Sequence, residues 1–68
     1  MTRLNINGVE EELAVATIAE LLAARGIDPK ARFLAVAVNG TVVRRAEWPE
    51  AALSSGDQVE IVRPFQGG

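Results

Sequence analysis

The chain has no cysteine and no histidine among its 68 residues, and these two absences close most routes to side-chain chemistry. Without thiols there is neither a disulfide framework nor a thiol redox centre, which agrees with a reducing compartment. Without imidazole the usual metal-binding clusters cannot be assembled, and scattered carboxylates attract a hard ion only weakly. A nucleophilic triad fails for the same reason, since Ser54 and Ser55 have no evident base to activate them. An excess of one charge is also missing: 7 Lys+Arg stand against 9 Asp+Glu, a formal net charge of -2. Neither sign gathers into a block, so nucleic acid is not an expected partner. No apolar run approaches a membrane span, and the first residues, MTRLNINGVEEE, contain no apolar signal core. The expectation is a cytoplasmic chain with neither nucleic acid nor membrane among its partners. Asn39-Gly40 and Gly56-Asp57 are isolated turn signals rather than a glycine-rich phosphate cradle.

What is present is enough for one domain with one small core, burying roughly 60% of the unfolded chain's surface. Leu4 and Ile6 alternate with Arg3, Asn5 and Asn7, the period of a strand with one wet face. Asn7-Gly8 supplies a turn, and residues 9–15 read as a second, exposed edge strand whose Glu10, Glu11 and Glu12 discourage edge-to-edge association. Thr17 and Glu20 form a capping box ahead of Ile18, Leu21, Leu22 and Arg25, the inward stripe of a helix of two to three turns. Gly26 stands where a left-handed cap ends such a helix.

Residues 33–38, FLAVAV, read as a strand whose bulky side, Leu34, Val36 and Val38, meets the helix. Asn39-Gly40 sits at the position of a two-residue type I′ hairpin leading into Thr41, Val42 and Val43. Residues 46–55 read as a compact crossing in which Trp48 or Leu53 plugs the end of the core. Val59 and Ile61 then face one way along a last strand, Glu60 and Val62 the other, and Pro64 ends it by lacking an N–H. The order β-β-α-β-β-turn-β fits an α+β fold, one helix across one face of a mixed sheet, with the last strand central beside the first. Ala35, Ala37 and Val62 are expected to line a shallow apolar surface on the opposite face, rimmed by Arg44 and Arg45. Beyond Pro64 stand Phe65, Gln66 and the two glycines Gly67 and Gly68, whose lack of side chains gives a slender carboxylate end able to reach into another protein's narrow channel.

These features, the TIAELL helix, the FLAVAVNGTVVRR hairpin, the SSGDQVEIV strand and the closing GG, resemble the sulfur carrier proteins of thiamine biosynthesis. That is the ThiS family, within the ubiquitin-like β-grasp group, and the resemblance spans essentially the whole chain. It implies a β-grasp domain over residues 1–63, with four to five strands on one main helix, and a flexible reactive tail over residues 64–68. It also implies that the chain is a protein co-substrate rather than an enzyme. The Gly68 carboxylate would be adenylated by a ThiF-like adenylyltransferase that uses ATP, then converted to a covalent thiocarboxylate with sulfur from a cysteine desulfurase or related donor. A ThiG-like thiazole synthase would receive the sulfur, and no cofactor would be permanently bound. Gly67 would let the extended tail, with Gln66 and Phe65, reach both enzymes. Pro64-Phe65-Gln66 departs from the smaller aliphatic or glycine residues that many family tails carry. Related readings are a carrier for molybdopterin synthesis or transfer-RNA thiolation, and, in another class, a noncatalytic ubiquitin-like binding module.

Overall fold

The computed structural model describes residues 1–63. Alternation at Leu4 and Ile6 produces β1 (Thr2–Ile6), and Asn7 and Gly8, with φ of 51° and 87°, make the type I′ turn into β2 (Val9–Leu13). The two strands are antiparallel, with Thr2 opposite Leu13 and Ile6 opposite Val9. β2 ends two residues short of the expected boundary at Val15. Val15 leaves the ladder and drops into the core, its carbonyl accepting a bond from the Thr2 hydroxyl.

Helix α1 (Ile18–Ala24) begins as its sequence requires, the Thr17 hydroxyl accepting from the Glu20 N–H. The return bond differs from the expected box: Glu20 Oε1 accepts from the N–H of Ala16, at 2.7 Å, rather than from that of Thr17. The first helical N–H groups find tertiary partners, Ile18 donating to the Ala51 carbonyl and Ala19 to that of Trp48. At the other end Gly26, φ 71°, donates to Ala23 and Ile27 to Leu22, a Schellman closure that brings Ile27 into the core. Arg25 caps this end, and its guanidinium meets the Glu11 carboxylate of the edge strand.

The expected strand from residue 33 is shorter, β3 (Ala35–Val38). Phe33 has a left-handed φ of 62° and is 78% exposed, so the ladder cannot start before it, although Leu34 is buried as expected. Asn39-Gly40 turns the chain at φ 52° and 83° into β4 (Thr41–Val43). A 3-10 turn at Arg45–Glu47 follows, and the chain crosses beneath the helix start before entering β5 (Gln58–Val62). Trp48 and Leu53 both fill the end of the core, where one of them was expected. Trp48 is 2% exposed and donates its indole N–H to the Val43 carbonyl at 2.9 Å.

The strands form one sheet in the order β2-β1-β5-β3-β4, parallel between β1 and β5 and antiparallel elsewhere. This is the β-grasp arrangement, with the last strand central as the sequence predicts. Leu4, Ile6, Val36, Val59 and Ile61 project from the sheet into one cluster with Ile18, Leu21 and Leu22 of α1. Each full burial contributes about 1.5–3 kcal/mol relative to exposure, so α1 is held by this stripe rather than by its own seven residues.

Candidate functional site

β5 organises the candidate site, because it runs through the middle of the sheet and Pro64 follows two positions after its last residue, Val62. Its register with β3 sets Val62 opposite Ala35 and Glu60 opposite Ala37, while the β3–β4 register sets Ala37 opposite Val42. Directly paired residues share a face, and the alternate residues Val36, Val59 and Ile61 are buried under α1. Ala35, Ala37, Val42 and Val62 therefore lie together on the face away from the helix. Val42 is 69% exposed and Val62 58%, which makes this an apolar area that the fold leaves uncovered.

The sequence reading named Ala35, Ala37 and Val62 but not Val42. The signal was available: a two-residue Asn39-Gly40 hairpin sets Val38 opposite Thr41, and hence Ala37 opposite Val42. The same face is polar toward the other edge, where Arg3, Asn5, Glu10 and Glu12 project from β1 and β2. Arg3 and Glu12 approach to 3.5 Å, both more than half exposed, a contact that contributes little in water. The face is thus divided, apolar over β3, β4 and the end of β5 and charged over β1 and β2.

Arg44 and Arg45 follow β4 directly and are both exposed. Arg45 is engaged within the domain. Its guanidinium donates to the carbonyls of Pro29 and of Ala31, the latter at 2.8 Å, and lies 5.1 Å from the centre of the Trp48 ring. It ties the loop between α1 and β3 to the 3-10 turn, a function that the adjacent pair of arginines did not reveal. Phe65, Gln66, Gly67 and Gly68, the expected reactive tail, lie outside the described residues.

Among the described residues, no group of three Asp or Glu side chains is placed to hold a metal ion. An open groove of about 340 Å³ lies beside the β1–β2 turn and the end of α1, lined by Ile6, Val9, Glu11, Arg25, Ile27 and Arg63 among others. No serine or threonine hydroxyl of the described residues lines it. No helix among the described residues is long and apolar enough to cross a membrane.

The family model described as the ThiS family matches residues 4–68. The chain belongs to the ThiS family. Its sheet and main helix are those of a ubiquitin-like β-grasp sulfur carrier. The chain is similar to the crystal structure of a thiamine biosynthesis protein, ThiS, from Geobacter metallireducens, with 28% identity and a TM-score of 0.78. The match covers 98% of this chain and 100% of that one. A solution structure of a thiamine biosynthesis protein from the same organism aligns at 28% identity and a TM-score of 0.77, over 98% of this chain and 88% of the other. None of the curated proteins matches.

Proposed function

We infer that the Gly68 carboxylate is the reactive group and that this chain delivers sulfur for thiazole formation in thiamine biosynthesis. A carboxylate oxygen attacks the α-phosphorus of ATP on a ThiF-like enzyme, pyrophosphate leaves, and the glycine becomes an acyl adenylate. The terminal sulfur of a desulfurase persulfide then attacks the acyl carbon and AMP departs. A thiol cleaves the resulting acyl disulfide, ending as a disulfide itself and leaving the thiocarboxylate on Gly68. A ThiG-like thiazole synthase takes up the sulfur. The carboxylate is a poor electrophile until adenylation supplies a good leaving group, which is why ATP is required and why it belongs to the partner.

The observation that carries this reading is the family match running through to residue 68, glycines included. The thiamine branch is supported by the description of both Geobacter structures as thiamine biosynthesis proteins. Docking is assigned to the uncovered face, with Ala35, Ala37, Val42 and Val62 at its centre and Arg44 at its rim, since small apolar side chains let a partner approach closely.

Mass spectrometry after incubation with ATP, a ThiF-like enzyme and a sulfur donor tests the chemistry. Sulfur-for-oxygen exchange is expected on the native chain, and very little on a chain lacking Gly68 or extended by one alanine, because displacement by about 1 Å already disrupts reaction geometry. Both altered tails are expected to fold normally, as neither removes a buried side chain. Equal exchange on all three chains would refute the terminal-carboxylate mechanism. Offering the thiocarboxylated chain to thiazole synthase and, in parallel, to the large subunit of molybdopterin synthase decides the branch, with turnover expected only in the first.

A further inference from the structure

Two asparagines hold β5 from opposite sides. Each is the first central residue of a type I′ hairpin, Asn7 with φ 51° and Asn39 with φ 52°. Asn39 acts at the start of the strand, its Oδ1 accepting from the Gln58 N–H at 2.9 Å and its Nδ2 donating to Asp57 Oδ1 at 3.0 Å. Asn7 acts at the other end. Its Oδ1 accepts from the Ile61 N–H at 2.8 Å, and its Nδ2 donates to the Ile61 carbonyl at 3.1 Å.

The Asn7 bonds replace a missing length of strand. The register of β1 with β5 stops at Ile6 opposite Val59, and the last main-chain bond runs from the Asn7 N–H to the Val59 carbonyl at 2.9 Å. The chain then turns away at Gly8. The next pair of main-chain groups on this side of β5 belongs to Ile61, a buried residue whose N–H and C=O need partners. One amide satisfies both. An ionised aspartate would offer acceptors only and a glycine nothing, although either residue tolerates the positive φ of the turn.

Ile61 is three residues before Pro64. We propose that Asn7 is a positioning residue for the terminal glycine: by holding both main-chain groups of Ile61 it fixes the course of the last residues of β5, the strand to which the segment carrying Gly68 is joined. The proposal rests on the carrier reading above. It adds a tether 54 positions away in sequence from the strand residue it holds.

The test compares Asn7→Gly with Asn39→Gly, since glycine keeps each turn and deletes only the amide. Amide hydrogen exchange at Ile61 is expected to speed up by roughly tenfold in Asn7→Gly and to stay near the native rate in Asn39→Gly. In adenylation by the ThiF-like enzyme with ATP, Asn7→Gly is expected to lower kcat by about tenfold while KM stays within about twofold, because the docking face is untouched. Asn39→Gly should change neither by more than about twofold. Unchanged Ile61 exchange in Asn7→Gly, an equal fall in kcat for the two variants, or a rise in KM alone would overturn the proposal. A native chain that gives no acyl adenylate would overturn the carrier reading and the tail role with it, while the exchange measurement would still report whether Asn7 holds Ile61.

Discussion

The two faces of the sheet are made by the same strands and differ in almost every physical respect. On one, Leu4, Ile6, Val36, Val59 and Ile61 pack beneath Ile18, Leu21 and Leu22 with hardly any surface left to water. On the other, the residues between them are Asn5, Ala35, Ala37, Gln58, Glu60 and Val62, small or polar and largely exposed. Bulk on the covered face provides cohesion. Lack of bulk on the open face leaves a low surface near the end of β5, where docking is proposed. With docking proposed on the open face, stability and recognition fall to alternate residues of the same strands and should be separable by mutation.

The largest effect is expected on the covered face. Leu21→Ala or Leu22→Ala should each cost about 2–5 kcal/mol, since both side chains are fully buried and α1 has few other attachments. Chemical denaturation measures this, and a negligible loss from both variants would break the comparison. A smaller effect is expected where the helix meets the crossing segment. Thr17→Ala should cost about 0.5–1 kcal/mol, toward the low end for a lost cap, because carbonyls of Ala51 and Trp48 still hold the neighbouring N–H groups. Thermal unfolding resolves a loss of that size. The smallest stability change belongs to the open face: Ala37→Lys should stay within about 0.5 kcal/mol, its new charge lying opposite Glu60. The same variant should weaken binding to the ThiF-like enzyme in calorimetry, and unchanged affinity with normal turnover would move docking to another face.

Much of the fold was legible because its signals are local. The period of two at Leu4–Ile6 and at Val59–Ile61, the Thr17 cap, the Gly26 closure and the Asn39-Gly40 turn each act over a few residues. What was misread lies where distant groups intervene. Phe33 has the composition of a strand residue, yet the chain there is left-handed, and carbonyls of the preceding loop are taken by Arg45 from beyond β4. Val15 continues the alternation of β2, but burial in the core and the Thr2 hydroxyl draw it out of the ladder. Arg44 and Arg45 looked equivalent as neighbours, whereas Arg45 is committed to the loop and to Trp48. The sharing of one face by Ala35, Ala37 and Val62 was legible, with Val42 recoverable from hairpin register, while Phe65 to Gly68 lie outside the described residues.

By itself the sequence determined the periods, turns and caps, and therefore which side chains each element would turn toward the core. It also excluded cysteine and histidine chemistry outright, since a side chain that is not encoded cannot be folded into place. Only the tertiary structure decided that β5 would return between β1 and β3, and that the amide of Asn7 would take the N–H and C=O of Ile61. The reason is that an unpaired main-chain group can be satisfied by any donor or acceptor the fold brings within reach. Which one arrives depends on where the chain comes back, not on the residues beside it.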